Sequence, residues 1–363
     1  MRKKIGILLV AFALVCIGIT LTTVNRDRIS ESSGKKGNSN KWEKSSENRD
    51  GLQLEDDDSL CFYENGEKFT GGYKVIKNKQ YYFGQDGKAV KDKLQAVEID
   101  GKECYFYFGS NGEAKVNEWV TVNEAEYYLG EDGKAVTGVK KLDNNYCKFA
   151  QDGKLIRKID ASKKLVAITY DDGPSIYTPV ILDVLEKYDA VATFFVVGNR
   201  VSDYAEYTKR AHDMGCEIAN HTYDHKILTG VSADEIVNQV NKTNDIIEQT
   251  VGEKSIIMRP PGGAVNDKVS QNVKMPMIIW SVDPTDWKTR NQQKTEDAVL
   301  SGVGDGDIVL MHDLYESTAN AAEKIFSTLK AEGYEFVTVS ELAEFRGVKL
   351  NKGEKINSCR KQQ

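Results

Sequence analysis

Hydrophobic and polar positions change their pattern three times along the chain. Residues 5–24 form an uncharged, largely apolar run behind Arg2, Lys3 and Lys4. A helix of that length spans a bilayer, with its basic flank on the cytoplasmic side. No small-x-small cleavage site follows. Residues 1–24 are therefore expected to be a retained single-pass signal-anchor in the cytoplasmic membrane, N-terminus inside, with the remainder outside the cell. Residues 25–58 are rich in Ser, Lys, Asn, Glu and Asp and poor in large apolar side chains. Such a segment buries too little surface to offset its ordering entropy, and a disordered linker is expected there.

Residues 59–158 carry an internal repeat. Gly66, Gly87, Gly112, Gly133 and Gly153 each follow Asn or Asp, at spacings of 21, 25, 21 and 20 residues. Four positions earlier stand Phe62, Phe83, Phe108, Leu129 and Phe149. An Asn-Gly or Asp-Gly step behind an aromatic run is a hairpin signal, because both residues accept positive φ. Each unit is too small to bury its own face, so stacking into a β-hairpin repeat solenoid is expected.

Over residues 159–348 the pattern changes again. Apolar runs of strand length at 165–169, 191–197, 216–219, 255–258, 277–282, 307–311 and 335–339 alternate with helix-like stretches. The stretch 232–251 opens with the capping box Ser232-Ala233-Asp234-Glu235 and sets Ile236, Val240 and Ile247 on one face. Repeated strand–helix units predict an α/β domain with a parallel sheet, barrel-like or doubly wound. Residues 349–363 are left as a tail.

Composition narrows the partners. A net charge of −6 with 29% charged residues offers no basic face for a nucleic acid. Beyond Cys16 the cysteines are Cys61, Cys104, Cys147, Cys216 and Cys359, odd in number and widely spaced. They describe neither a disulfide framework nor a CxxC zinc pair, though one bridge among the first three is left open. Cys216, in an apolar stretch, reads as a small buried residue.

The chemistry lies just behind the apolar runs. Asp171-Asp172-Gly173-Pro174 follows the first, His221 and His225 the third, and Arg259-Pro260-Pro261-Gly262-Gly263 the fourth. Asp286 and Trp287 follow the fifth, and His312-Asp313 the sixth. At the ends of parallel strands all of these open onto one face, where catalytic loops sit. Three of the four histidines fall in these clusters. The HxxxH pair sets two imidazoles on one side of a helix or tight turn, and with a carboxylate it leaves metal positions open for water and substrate. Neighbouring carboxylates aimed at one point repel, so Asp171 and Asp172 divide into a metal ligand and a free base. His212, in a helix, reads as a surface or packing residue. Asp224 and Asp313 read as supporting or turn residues and Trp280 as core.

These motifs, in this order, make residues 164–344 resemble the polysaccharide deacetylase family, the NodB-homology domain of carbohydrate esterase family 4. The likeness is greatest to peptidoglycan N-acetylglucosamine deacetylases. The repeats resemble cell-wall-binding, choline-binding-like units, although Trp119 is their single tryptophan and choline sites favour an indole face. The resemblance implies a distorted (β/α) barrel and hydrolysis of N-acetyl groups in peptidoglycan or a related glycan, with the repeats docked on wall polymer. It implies Asp171 as base, with Arg259 holding it ionised. Asp172, His221 and His225 would ligate one divalent metal ion: zinc, with cobalt or nickel fitting the same donors. His312 would be the general acid, oriented by Asp286, with an oxyanion donor near Gly262. Trp287 and Leu310 would line the acetyl pocket. Gly262-Gly263 stands where relatives often carry an aromatic residue, which removes a wall of the sugar groove. An O-deacetylase of a glycan such as xylan, or a non-catalytic wall-binding protein, are the alternatives.

Overall fold

The structure, a computed structural model, describes residues 50–360. The expected anchor at 5–24 lies outside the described residues. Among the described residues no helix is long and apolar enough to cross a membrane. The single-pass anchor, and the membrane-bound location that followed from it, are therefore not supported and are withdrawn.

Antiparallel hairpins come first. Gly51–Leu54 pairs with Leu60–Glu64, which turns at Asn65 and Gly66, both at positive φ, into Glu67–Lys68. This hairpin begins inside the stretch read as linker, because Leu52 and Leu54 alternate with Gln53 and find Phe62 and Leu60 across the ladder. Four more hairpins follow: Gly72–Ile76 with Lys79–Phe83, Lys93–Ile99 with Lys102–Phe108, Glu118–Val122 with Ala125–Leu129, and Gly138–Leu142 with Asn145–Phe149. Their tight turns fall at Lys77-Asn78, Asp100-Gly101, Asn123-Glu124 and after Asp143, while the Asp-Gly and Asn-Gly steps behind the aromatic strands also reverse the chain, Asp152-Gly153 leading from Asn145–Phe149 into an antiparallel Leu155–Asp160.

Those steps make a second turn with a different job. Gly87 N–H donates to the Gly84 carbonyl (2.9 Å), and the returning chain lets Ala89 N–H reach Leu60 O (2.7 Å) in the preceding unit. Ala114 reaches Gln80 O (2.9 Å) and Ala135 reaches Tyr105 O (2.7 Å) in the same way. Consecutive units are thus joined through backbone. The approach is close enough that a Cβ at Gly153, where φ is +83°, would lie 2.6 Å from the Ala135 methyl.

The α/β half has the strands Lys164–Asp171 (β1), Thr193–Val196 (β2), Glu217–Asn220 (β3), Met277–Ile278 (β4), Asp307–His312 (β5), Tyr334–Phe336 (β6) and Lys355–Ile356 (β7). β1 lies between β2 and β5, all parallel; β3 follows β2, and β6 pairs with the first residues of β1. Past β3 the pairing thins to single parallel bridges, Asn220 to Met258 and Met258 to Met277. The expected strand at 255–258 is reduced to that contact. Every residue of β1 after Lys164 is buried, which is why its sequence reads as a continuous apolar run rather than an alternating one. Val166, Ile168 and Tyr170 enter one core cluster, and Leu165 and Ala167 another.

Residues 349–360, read as a tail, are folded in. β7 pairs in parallel with β4, Cys359 is buried, and the Arg360 guanidinium donates to both oxygens of the fully buried Asp307 (2.6 and 3.1 Å). The last repeat docks on the α/β half through Glu341, which accepts from Lys148 (2.9 Å) and Arg157 (3.2 Å), and through Tyr146 stacked on Phe345 at 4.5 Å. All five described cysteines are free, so the bridge left open among Cys61, Cys104 and Cys147 is absent.

Arg360→Ala should lower unfolding free energy by about 1–3 kcal/mol, the usual cost of stripping a charged partner from a buried carboxylate. Urea denaturation measures this, and an unchanged midpoint would show that Ser281 and Gly304 satisfy Asp307 alone.

Candidate active site

The site lies where β1 and β5 end side by side. Their register sets Asp171 opposite His312, so the two chemical groups come from neighbouring strands. Asp171 is 3% exposed and accepts from Arg259 Nη1 at 2.6 Å. Arg259 has no exposed surface. Its Nη1 also donates to Thr169 Oγ1 (2.7 Å), its Nη2 to Ile279 O (2.9 Å) and its Nε to Ile278 O (3.2 Å), while its plane lies 4.1 Å from the Phe195 ring centroid. Burial pulls the guanidinium below its ordinary pKa, and Asp171 opposes that pull.

Beside this pair three side chains converge. His221 is buried, and its Nδ1 donates to the Arg259 carbonyl (2.7 Å), which leaves the Nε2 lone pair turned to the site. His221 Nε2 lies 3.3 Å and His225 Nε2 3.0 Å from Asp172 Oδ1. Neither approach has hydrogen-bond geometry, and that buried oxygen has no hydrogen-bond partner. Ligand atoms of Asp172, His221 and His225 all lie within 4.8 Å of one another. An orphaned carboxylate oxygen between two imidazole nitrogens is the donor set a divalent cation takes, so the residues fit the expected metal. Burial works to raise the Asp172 carboxyl, but the two imidazoles outweigh it and hold the group well below the carboxylate range.

The backbone that presents these ligands is strained. Asp172, Thr222 and His225 all have positive φ, at 70°, 65° and 60°. A β-branched residue in that region persists only when its surroundings over-determine it. The HxxxH pair is accordingly in an irregular loop and not on a helix. Asn220 Oδ1 accepts from Thr222 N (2.9 Å), and Gln239 Oε1 accepts from Tyr223 N (2.8 Å) and Asp224 N (3.1 Å). Neither Asn220 nor Gln239 was singled out from sequence. Gln239 did leave a trace, as a polar residue on the apolar face that holds Ile236, Val240 and Thr243.

Across the site, His312 Nδ1 donates to Asp286 Oδ1 (2.8 Å). Asp286 is fully buried and also accepts from His312 N (2.9 Å), Thr318 Oγ1 (2.8 Å) and Trp287 N (2.9 Å). Burial disfavours the charged imidazole, yet Asp286, with Asp171 and Asp172 behind it, raises His312 above its ordinary value. Trp287 is 47% exposed, whereas Leu310 is buried within β5. Gly262 and Gly263 both have positive φ; Gly263 N–H donates to Pro260 O (2.8 Å), and Gly262 N–H enters no hydrogen bond among the described residues. His212 stands apart, paired with Glu253. Trp280, read as core, is partly exposed, with Arg259 5.7 Å from its ring.

Asp313 has a larger part than its sequence suggested. It lies under the Asp171–Gly173 turn, accepting from Thr178 Oγ1 (2.6 Å) and Ser175 Oγ (3.3 Å), while its own N–H donates to Asp171 O (2.8 Å). A Cβ on Gly173 would come within 2.3 Å of its carboxylate. Burial pushes its carboxyl up to about 7, against the hydrogen bonds of Thr178 and Ser175.

Comparison with known proteins agrees with this geometry. The polysaccharide deacetylase family profile matches residues 158–276. Profiles of a choline-binding repeat and a cell wall binding repeat match residues 69–119 and 117–135. The chain is 37% identical over 203 residues to a peptidoglycan-N-acetylglucosamine deacetylase of Bacillus cereus, covering 53% of this chain and 95% of that protein. It is 43% identical over 189 residues to the peptidoglycan-N-acetylmuramic acid deacetylase PdaC of Bacillus subtilis, covering 52% of this chain but only 40% of the relative. The chain thus spans less than half the length of that relative. The Xyl-CE4 domain of a multidomain xylanase from the hindgut metagenome of Trinervitermes trinervoides superposes with a TM-score of 0.53 at 38% identity, covering 55% of this chain and all of that one. The chain belongs to the polysaccharide deacetylase family and carries choline-binding-type cell wall repeats ahead of that domain.

Asp313 makes a pH prediction. The unfolded chain releases this proton near pH 4, whereas the folded chain keeps it until about 7. Between those values the folded state binds more protons, so stability falls as pH rises through the window. Asp313→Asn should flatten that part of the stability–pH curve. Urea midpoints from pH 4 to 7.5 test it, and parallel curves for the two proteins would refute it.

Proposed function

We propose that the chain is a metal-dependent hydrolase that removes N-acetyl groups from N-acetylglucosamine units of peptidoglycan or a related glycan, releasing acetate. The observation that carries this is the separation of Asp171 from the ligand set. A second carboxylate, buried and paired with Arg259, stands beside the metal donors while a carboxylate-oriented imidazole stands on the next strand end.

Asp172, His221 and His225 would hold one divalent ion, zinc by donor type, with cobalt or nickel suited to the same set. When bound, such an ion supplies a Lewis acid toward the amide oxygen and a more acidic water. Asp171, held in place by the Arg259 Nη1 hydrogen bond, takes the proton of the attacking water. The free N–H of Gly262 donates to the developing oxyanion. His312 in its charged form, which Asp286 favours, gives the Nε2 proton to the leaving nitrogen while its Nδ1–H stays on Asp286. Trp287 and Leu310 bound the acetyl methyl.

The α/β half is read as a distorted (β/α) barrel and the stacked hairpins as a solenoid that docks on wall polymer. A second reading, O-deacetylation of a glycan such as xylan, is favoured by the likeness to the xylanase-borne Xyl-CE4 domain.

Acetate release by the full chain from chitooligosaccharide, purified peptidoglycan and acetylated xylan decides between them. Release from the first two should cease on chelation and return with zinc. Asp171→Asn should keep its zinc yet lose about 10³-fold or more in kcat, whereas His221→Ala should lose the metal itself. Release from xylan alone would establish the second reading, and no metal uptake would remove both.

A further inference from the structure

We propose that the segment from Asp286 to Arg290 is a recognition site for a carboxylate carried by the glycan next to the sugar being deacetylated. This rests on the deacetylase reading and adds a preference for acidic over neutral glycans. The segment is one helical turn, Asp286–Thr289, bounded by two non-glycine residues at positive φ, Thr285 at 51° and Arg290 at 42°. At one end it buries Asp286, the anchor of His312. Over the same few residues it presents Trp287, Lys288 and Arg290 to solvent.

The Arg290 guanidinium lies 4.7 Å from the Tyr315 ring centroid, and the Tyr315 ring lies 6.1 Å from that of His312. A single aromatic ring therefore separates an arginine from the imidazole that protonates the leaving group. Neither Lys288 nor Arg290 forms an ion pair among the described residues, whereas Lys226 and Arg259 do. Lys226 is paired with Asp224 (3.1 Å) and Glu235 (2.7 Å), and Arg259 with Asp171. The carboxylate of Asp283 turns instead to the Thr285 N–H (2.7 Å).

A guanidinium resting on a ring face keeps its in-plane N–H fork open, and that fork matches the two oxygens of a carboxylate. Trp287 beside it offers a face for a sugar ring. On an amino sugar the acid can come from a lactyl ether on the oxygen beside the acetamido carbon, or from a peptide attached to it. The chemistry presented to Arg290 is the same.

The test uses the zinc-loaded full chain and three N-acetylated oligosaccharides of equal length: one with free lactyl carboxylates, the same after reduction of the carboxyls to alcohols, and a peptide-bearing form. The wild type should favour an acid form over the alcohol in kcat/KM by about tenfold or more. Arg290→Gln should bring that ratio near one, chiefly through KM, and Lys288→Gln should lower it less. A ratio of one in the wild type, or a ratio untouched by Arg290→Gln, overturns the proposal. If only the peptide-bearing form is preferred, the acid recognised is the peptide's. Calorimetric binding of the same glycans runs alongside. Should no glycan release acetate, the deacetylase reading fails while an Arg290-dependent difference in binding still supports carboxylate recognition. Equal binding of acid and alcohol would then end that as well.

Discussion

The Arg259–Asp171 pair is the contact around which the α/β half is arranged. A guanidinium with no exposed surface is costly to bury, and it persists because each of its three nitrogens donates to a partner. Thr169 and Asp171 come from β1, and the Ile278 and Ile279 carbonyls come from β4 and the residue after it. The carbonyl of Arg259 itself fixes His221. One residue therefore ties β1, in the middle of the parallel array, to β4 and fixes both the proposed base and a proposed metal ligand. Moving any of those strands would leave an unpaired charge in the interior, so the geometry of the base and that of the ligands are not independent.

The strain at Asp172, Thr222 and His225 belongs to the same economy. Three side chains can meet at one point only if the chain turns sharply behind each of them, and none of the three positions is glycine. Asn220, Gln239 and Asp313 hold the backbone in those turns through hydrogen bonds. The three converging side chains are thus in place because of buried residues behind them. The same division is seen across the site, where Thr318 and the Trp287 N–H hold Asp286 and Asp286 holds His312.

Much of this was legible in the sequence, for a physical reason. Residues that do chemistry must be polar at the ends of buried strands, and so they interrupt apolar runs: Asp171, His221, Arg259 and His312 stand out for that alone. What was not legible depends on partners distant in sequence. Residues 349–360 have no strong pattern because β7 is two residues long and is defined by Met277 and Ile278. Only one of the two turns in each unit was located, because Asp-Gly marks any turn that needs positive φ and the turns at Lys77-Asn78 and Asn123-Glu124 carry no glycine. Only the pairing of Ala89 with Leu60 shows which one joins neighbours. Asp313 looked like an ordinary turn residue, since nothing in a sequence tells that Thr178 and Ser175 close over it.

The docking of the last repeat on Glu341 bears on how the domain meets a solid substrate. Lys148 and Arg157 both reach that carboxylate, and Tyr146 stacks on Phe345 beside it, so the hairpin nearest the catalytic half is bolted to it rather than strung from it. If the proposed deacetylase activity holds, its search for an acetyl group is made by a domain fixed to its nearest repeat. If the array lies along a glycan surface, the domain keeps one attitude to that surface, and its reach is set by the geometry of a bracket. Such an arrangement would favour working along a layer in patches over scattered attack, with the spacing written into the repeat.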